Sequence, residues 1–332
     1  MGGDLGPRVT VEASLAALNR HPNLTILLVG DASVLNSFIA SHSNERLKVV
    51  HAPDTIAPDV SVMWALREGS SSSMHRALEI VSQNQAKACI SAGNTGALMA
   101  LARRTLGTLP GINRPAITAS LPSLNGECQL LDLGANIDST AEMLTQFAIL
   151  GRALVRIIKG REATIGLLNV GTEEGKGTHV LNQASGVIAQ LPGVHYVGFV
   201  EGDDLYAGKA DLVVCDGLPG NVALKSSEGL AQLMSLSVHQ AFNRSFYRRC
   251  VAWLAKPILG ELKEQLNASS RNGALFLGLK GVVVKSHGSV NAEGFGAAID
   301  YTVTMLGLNL PDQMAEYVSD DLNSLSNGSD LS

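Results

Sequence analysis

A glycine-rich turn with one lysine is the part of this chain whose residue types point most directly to chemistry. Residues 169–177 read N-V-G-T-E-E-G-K-G and follow an apolar run at 163–168, which predicts a buried strand that ends in this turn. Glycines let main-chain N–H groups approach an oxyanion closely, and Lys176 adds a positive charge with three hydrogen-bond donors. The turn contains no cysteine or serine. If it forms an active site, the bound anion can itself be the nucleophile.

Three residues each have a structural alternative to a functional role. Lys176 is either a solvated lysine at a helix start or an anion ligand, and the positive end of a helix disfavours an unpaired lysine. Asn221 is the N-cap of a predicted helix over residues 222–234, an amide donor to a substrate, or both. His287, within K-S-H-G-S at 285–289, is either a substrate ligand or a structural histidine.

Short apolar runs alternate with helical patterns along most of the chain. Such alternation predicts βαβ units and an α/β fold, a three-layer α/β/α sandwich with a mostly parallel sheet. The predicted strands are residues 24–29, 88–91, 116–121, 130–133, 165–170, 196–200, 212–215 and 282–285. The clearest predicted helices are residues 73–83, 96–106, 139–158 and 178–190.

Polar turns that contain glycine follow five of the predicted strands. They cover residues 91–96, 132–136, 169–177, 201–204 and 216–221. Because ligands of parallel sheets bind at the carboxyl ends of the strands, we expect these turns to form one cleft on one edge of one sheet. The glycines at 93 and 96 are a weak phosphate signal alone, since turns also use glycine for its positive φ.

Composition and spacing exclude several classes of protein. The chain has 332 residues and a net charge of −5, so its overall charge does not predict nucleic-acid binding. Four widely separated cysteines and eight histidines without metal spacing predict reduced thiols and no metal site. No apolar run reaches the roughly 18 residues of a membrane span, and the N-terminus lacks a signal-peptide pattern, so we expect a cytoplasmic protein.

Two segments differ from the alternating pattern. Residues 242–267 mix aromatic and aliphatic side chains with basic ones, and Pro257 is expected to break or kink a helix there. This amphipathic segment packs within the protein, forms a dimer contact or lies in a membrane interface. Residues 319–332 are rich in serine, aspartate and asparagine and predict a disordered tail, which leaves 1–318 as the α/β domain.

Eight motifs occur in an order that indicates a family. They are M-G-G-D-L-G-P at 1–7, S-S-M at 72–74, S-A-G-N-T-G-A-L-M-A at 91–100, R-P-A at 114–116, L-D-L-G-A-N at 131–136, L-N-V-G-T-E-E-G-K-G at 168–177, C-D-G-L-P-G-N-V-A-L-K at 215–225 and K-S-H-G at 285–288. Together they make the chain resemble the PlsX family of phosphate acyltransferases, which act in bacterial phospholipid synthesis.

The resemblance implies an acyltransferase that converts acyl-[acyl carrier protein] and inorganic phosphate to acyl phosphate and free carrier protein. It implies the isopropylmalate-dehydrogenase-like fold shared with phosphate acetyltransferases, assembled as a homodimer, and no cofactor. It also implies peripheral contact with the inner face of the cell membrane, where a membrane-embedded glycerol-3-phosphate acyltransferase uses the product. Lys176 and Asn221 match the positions proposed as catalytic in similar proteins.

The implied reaction agrees with the anion-binding turn, because phosphate at neutral pH needs no strong base and a thiolate needs no obligatory acid. We expect phosphate to bind Lys176, the neighbouring glycines and the turn at 93–96. Asn221 is the expected hydrogen-bond donor to the oxyanion, and Asp216 is expected to orient either Asn221 or Lys176. The predicted phosphate and substrate ligands are Gly93, Asn94, Thr95, Gly96, Asn136, Gly171, Gly175, Gly177, Asp216, Gly220 and His287.

The sequence departs from the family pattern at two places. Relatives usually begin with a short apolar strand directly before M-G-G-D, so either translation starts further upstream or this version of the sheet lacks that strand. Leu218-Pro219 stands where relatives usually carry an aromatic and a small residue. Three alternative functions stay open: a phosphate acyltransferase that uses acyl-CoA, a membrane-surface scaffold, and a dehydrogenase, for which no nicotinamide or metal motif is present.

Overall fold

The computed structural model describes residues 1–39, 44–173, 175–260 and 272–329. Its strands are β1 (Ile26–Gly30), β2 (Leu47–His51), β3 (Ala88–Ser91), β4 (Ala116–Ser123), β5 (Gly126–Leu131), β6 (Thr164–Leu168), β7 (His195–Val200), β8 (Leu212–Val214), β9 (Ala274–Leu277) and β10 (Val282–Lys285). Its helices are α1 (Pro7–Arg20), α2 (Ala32–Ile39), α3 (Val62–Glu68), α4 (Ser73–Ser82), α5 (Thr95–Leu106), α6 (Ala141–Lys159), α7 (His179–Ala189), α8 (Asp204–Ala207), α9 (Gly217–Asn243), α10 (Phe246–Leu254), α11 (Ala292–Gly307) and α12 (Leu310–Ser329).

Eight of these strands form one sheet, in the order β3-β10-β9-β4-β5-β8-β6-β7. Strands β3 and β10 form one parallel block, and β5, β8, β6 and β7 form another. The antiparallel pairings of β9 and β4 join the two blocks, which therefore run in opposite directions. The predicted α/β class with a mostly parallel sheet is confirmed.

Helices cover both faces of the sheet, and alternate residues of each strand point to opposite faces. Leu212 and Val214 of β8 belong to the apolar core under α6, α7, α11 and α12. Val213, between them, belongs to the core under α4 and α5 on the other face. One continuous apolar run therefore serves two cores, as expected for a strand buried on both sides.

Strands β1 and β2 form a separate parallel pair. Helix α1 attaches this pair to the rest of the molecule, because Ala13 and Ala17 pack against Phe295 and Ile299 of α11. A cavity of about 570 Å³ lies between β1 and β3 and is lined by both strands, by Met1 and by α4.

The prediction of a disordered tail from residue 319 is wrong for the described part of that segment. Helix α12 continues through Ser329. Met314 and Val318 on its inner side pack into the core under α6, and Asp321 Oδ1 lies 2.9 Å from Nη1 of the buried Arg152. The composition is that of a disordered segment, but one apolar stripe and one buried ion pair suffice to hold a helix.

The outer half of α9 and all of α10 carry exposed apolar side chains. Leu233 of α9 is 61% exposed, and Phe246 and Trp253 of α10 are 75% and 74% exposed. Helix α10 ends at Leu254, three residues before Pro257, so the predicted break is confirmed. Residues 261–267 of the predicted amphipathic segment lie outside the described residues. In the described ranges, no helix is long and apolar enough to cross a membrane.

Candidate active site

The opposite directions of the two strand blocks divide the predicted site residues into two groups. The turns after β5, β6, β7 and β8 lie on one edge of the sheet, and the turns after β3 and β10 lie on the other. The prediction that five turns share one edge is therefore wrong, because three antiparallel pairings in the middle reverse the direction of the sheet. Helix α9 connects the groups, since it begins after β8 and its Lys225 reaches His287 after β10.

Asp132 organises the turn after β5. Its buried carboxylate accepts hydrogen bonds from four main-chain N–H groups and from Asn136 Nδ2, at 2.7–3.2 Å. Burial raises the pKa of Asp132, and these donors oppose the rise. Asn136 gives its other amide hydrogen to Pro115 O at 3.0 Å. Because both amide hydrogens are used inside the protein, Asn136 holds this turn together and has no donor left for a phosphate.

Helix α9 begins in direct main-chain contact with the same turn. A Cβ atom on Gly217 would lie 1.9 Å from Asn136 O, and one on Gly220 would lie 1.9 Å from Asp132 O. Only glycine permits this approach, so the predicted ligand Gly220 has a packing role, and its N–H already donates to Asp216 O at 3.1 Å.

The predicted N-cap role of Asn221 is wrong, because α9 starts at Gly217 and Asp216 occupies the N-cap position. The glycines allow the helix to begin five residues earlier than its apolar pattern indicates. Asn221 instead lies just past the first turn, exposed, with its side chain beside Gly134. Among the described residues its amide group has no hydrogen-bond partner, so it is available as a donor to a substrate.

Lys176 lies in the turn after β6 and forms an ion pair there. Its Nζ atom is 2.9 Å from Glu173 Oε1, and its side chain is 54% exposed. The hydrogen bond and the charge of Glu173 raise the pKa of Lys176. Glu173 therefore provides the negative charge that the sequence interpretation assigned to a bound anion. Gly171 leaves room for the lysine stem, whereas Gly175 is open and Gly177 packs near two asparagines.

The turns that carry Lys176 and Asn221 follow β6 and β8, which are neighbouring parallel strands. They therefore lie side by side on one edge of the sheet. Asp216 Oδ1 accepts a hydrogen bond from Ser139 N at 2.9 Å, which ties α9 to the segment before α6. In the described part of the chain this bond replaces the predicted orienting contact of Asp216 with Lys176 or Asn221.

The turn after β3 forms the start of α5. Asn94 is the N-cap, since its Oδ1 accepts from Ala97 N at 2.9 Å and its Nδ2 donates to Pro58 O at 2.7 Å. The first two helical N–H groups, those of Thr95 and Gly96, have no acceptor within a helix. Of the predicted anion donors in this turn, the main-chain N–H groups of Thr95 and Gly96 therefore remain available. The N–H of Gly93 donates to Ser91 Oγ at 3.2 Å, so it stabilises the turn itself, as the Asn94 side chain does.

Two lysines and a histidine meet beside this turn. Lys285 ends β10, opposite Ser91 in the strand register. Lys225 Nζ lies 2.9 Å from His287 Nε2 and 2.7 Å from Glu228 Oε2. Sequence reasoning singled out His287 and missed both lysines, although Lys225 ends one recognised motif and Lys285 begins another. Residues 1–39, 44–173, 175–260 and 272–329 contain no group of three histidine, cysteine or acidic side chains that could hold a metal.

Comparison with known families decides the relationship. A family model described as "Fatty acid synthesis protein" matches residues 1–313. The chain belongs to this family, the PlsX family. A phosphate acyltransferase of Pseudomonas syringae pv. syringae is 50% identical over 317 residues, which cover 95% of this chain and 93% of the relative. One of Pseudomonas fluorescens is 45% identical over 326 residues, 97% of each chain. As a PlsX family member, the chain is an acyltransferase.

Solved structures support the fold of this PlsX family member. A phosphotransacetylase from Streptococcus pyogenes matches with a TM-score of 0.57 and 16% identity, over 94% of this chain and 91% of the other. A branched-chain phosphotransacylase from Enterococcus faecalis V583 matches with a TM-score of 0.56 and 14% identity, over 92% and 97%. The predicted phosphate acetyltransferase-like fold is thereby confirmed.

Proposed function

We propose that this protein transfers a fatty acyl group from acyl-[acyl carrier protein] to inorganic phosphate, giving acyl phosphate for glycerol-3-phosphate acylation in phospholipid synthesis. The observation that carries the proposal is the match to phosphate acyltransferases over 95% of the chain. The described side chains support it, because exposed amide and ammonium donors lie near glycine turns and no paired nucleophile and base accompany them.

The reaction needs position and charge more than a protein nucleophile. A phosphate oxygen bonds to the thioester carbonyl carbon, and the carbonyl oxygen becomes an oxyanion. The C–S bond then breaks, which releases acyl phosphate and a thiolate that takes a proton from solvent. Holding phosphate at attack distance and donating hydrogen bonds to the oxyanion supply the rate enhancement.

The cysteines favour direct transfer over an acyl-cysteine intermediate. Burial raises the pKa of Cys89 and of Cys128 to about 12, and burial also raises the pKa of Cys215. Such thiols stay protonated and unreactive at neutral pH. Cys250 is exposed, but it lies on α10 and outside both groups of site residues.

Asn221 and Lys176 are the side chains that we assign to acyl transfer on the β6–β8 edge. Asn221 has a free amide and donates to the thioester oxygen as it becomes negative. Lys176 follows the neighbouring strand and adds positive charge to the same region. Lys176 is already paired with Glu173, so we expect the loss of Asn221 to be the more severe.

The experiment supplies long-chain acyl-carrier protein and phosphate and follows acyl phosphate by trapping it with hydroxylamine. Asn221→Ala should lower turnover about 10²- to 10³-fold. Lys176→Ala should lower turnover and leave the free energy of unfolding almost unchanged, since its ion pair is exposed. Lys280→Ala is the matched control, because it removes an exposed lysine that lies just before the amino end of β10 and has no assigned role in the reaction. Absence of product with the wild type contradicts the proposal, and product with acyl-CoA alone favours that donor instead.

The exposed apolar side chains of α9 and α10 motivate the proposals about partners. An exposed apolar patch of this kind marks an interaction surface, and here we assign it to a homodimer contact and to peripheral binding at the inner face of the cell membrane. There a membrane-embedded glycerol-3-phosphate acyltransferase receives the product. Three nearby arginines, Arg244, Arg248 and Arg249, provide charge for acidic lipids or for acyl carrier protein.

Light scattering and vesicle flotation test these contacts. Replacing Trp253 and Leu254 with serine should weaken flotation with acidic vesicles, whereas serine at the exposed Leu124, far from α10 in sequence and on the β4–β5 hairpin, should not. A monomeric wild type contradicts the dimer proposal. Flotation retained in a Lys176/Asn221 double variant would separate binding from catalysis. A scaffold as the whole function requires, in addition, that the wild type makes no acyl phosphate.

A further inference from the structure

The group of basic side chains on the second sheet edge has no role in the assignment above. We propose that Lys285 and Lys225, together with the N-terminus of α5, bind the orthophosphate that attacks the thioester. This inference rests on the proposed function, because it names the binding site of one of its two substrates.

Lys285 is a partly buried ammonium group with no carboxylate bonded to it. Its Nζ atom donates to Ala92 O at 3.5 Å and to Ser286 O, both main-chain carbonyl groups. In the described part of the chain it forms no ion pair. An ammonium group has three donors, and two carbonyl contacts leave one of them free. A buried cation without a bonded counter-ion is costly, so an anion beside it would be stabilising.

The free donor of Lys285 lies at a turn that already offers two more. Lys285 is opposite Ser91 at the end of β3, and Ala92, which it contacts, directly precedes the turn into α5. The first N–H groups of α5 point out of the helix end, where its dipole also favours a negative charge. Three donors from two neighbouring strand ends are thus available to one anion.

Lys225 supplies a second ammonium group from a different element. It projects from α9, and its Nζ contacts His287 Nε2 at 2.9 Å, two residues beyond Lys285. His287 Nδ1 in turn lies 2.9 Å from Ser289 Oγ, so the ring is held from both sides. Glu228 and Asp4 are the carboxylates near this group, and the chain at Asp4 is fixed by its N–H, which donates to Gly288 O at 2.8 Å.

The electrostatics of the free site fit an anion receptor. Burial and the neighbouring charge of Lys225 lower the pKa of Lys285 to about 8, and Asp4 opposes this only in part. Burial and Lys225 also lower the pKa of His287, while Glu228 and Asp4 oppose that shift. A phosphate dianion between the two lysines would relieve the repulsion between them and favour the charged form of Lys285.

The position of Lys225 also connects this site with acyl transfer. Asn221 and Lys225 are four residues apart on α9, so their side chains lie on one face, about 6 Å apart along the axis. A phosphate held by Lys225 is therefore one helical turn from the proposed oxyanion donor. That spacing suits an attacking phosphate next to a carbonyl carbon, and it explains why α9 must be fixed tightly at its start.

Steady-state kinetics of the full chain, with phosphate and acyl donor varied separately, test the site. Lys285→Met and Lys225→Met keep the apolar stem and remove the charge. Each should raise the KM for phosphate about 10- to 100-fold and leave the KM for the acyl donor within about threefold. Lys225→Arg should recover much of the loss because it restores the charge. Lys280→Met, at the amino end of β10, is the control and should match the wild type.

Direct binding separates failure of this inference from failure of the proposed function. Isothermal titration with inorganic phosphate needs no turnover, and the lysine variants should lose the binding that the wild type and Lys280→Met retain. If the wild type makes no acyl phosphate but binds phosphate through these lysines, the site stands and the reaction is wrong. If turnover is normal but both KM values change together, or stability alone falls in urea, the lysines are structural and the inference is overturned.

Discussion

Gly220→Ala tests whether close packing at the start of α9 determines the geometry of the site. The added Cβ would lie 1.9 Å from Asp132 O and 2.6 Å from Cys215 Sγ. Real Cβ contacts essentially never fall below 3.0 Å. The first obstacle is a main-chain oxygen in the turn that Asp132 itself holds with five hydrogen bonds, so no side-chain rotation can make room.

The helix must therefore move by about 1 Å or more in a close-packed interior. Overpacking of this kind costs typically 1–3 kcal/mol, and a rigid main-chain obstacle places the expected loss near 3 kcal/mol. Gly229→Ala is the matched control, because it lies in the same helix with nothing within 4 Å of the new Cβ. Alanine is the better helix former, so this variant should gain up to about 1 kcal/mol.

Urea unfolding measures both changes, and acyl phosphate formation measures the effect on the site. A displacement of about 1 Å at the residue before Asn221 should lower turnover about 100-fold under conditions where the protein stays folded. Gly229→Ala should keep full turnover. Equal stability of the two variants, or wild-type turnover in Gly220→Ala, would refute the reasoning that main-chain contact fixes the position of α9.

Three further predictions concern charge and burial away from the site. Burial opposes ionisation of Asp211, but hydrogen bonds from Arg161, Lys159 and Thr164 outweigh it and hold the pKa of Asp211 below its usual range. The ionised Asp211 therefore stabilises the fold above about pH 4, and this stabilisation is lost as the pH falls. Asp211→Asn should cost about 2–3 kcal/mol at pH 7 and should flatten the acid limb of a pH–stability profile. Asp321→Ala should cost about 1–3 kcal/mol in urea unfolding, because the buried Arg152 loses one of the two carboxylates that pair with it in the described part of the chain; no loss would mean that α12 is held by apolar contacts alone. A thiol reagent should modify one cysteine per folded chain, Cys250, and all four after unfolding; a second fast-reacting thiol would contradict the described burial.

Local sequence patterns predicted the elements of this fold better than their arrangement. Strands β3 and β10 match their predicted boundaries, since each is an apolar run that ends in a glycine or serine turn. Strands β2 and β9 were not predicted: Lys48 and His51 interrupt the apolar run of β2, and β9 continues into Gly278 and Leu279 without a polar turn. The direction of the sheet reverses through three antiparallel pairings, β10–β9, β9–β4 and β4–β5, and the sequence patterns did not indicate them, so the separation of the predicted turns was missed.

The site residues divide in a similar way. Asn221 and His287 were predicted as site residues from motif and turn chemistry; the Asn221 side chain lies beside Gly134, and His287 contacts Lys225. Lys225 and Lys285 were missed because a lysine on a helix or at a strand end has no distinctive spacing of its own. Only the contact between α9 and the end of β10 brings them together, and that contact joins residues about sixty positions apart.

Helix α9 is held tightly at its first turn and is exposed at its other end. Its 27 residues extend about 40 Å, from glycines pressed against main chain to an apolar tip. When a helix held in this way tilts about its first turn, the displacement of each residue grows with its distance from Gly217. Asn221, about 6 Å from Gly217, moves roughly one-seventh as far as the tip. A tilt that shifts the outer helices by several ångströms, as a proposed subunit or lipid contact requires, would therefore move Asn221, the proposed oxyanion donor, by only a fraction of an ångström.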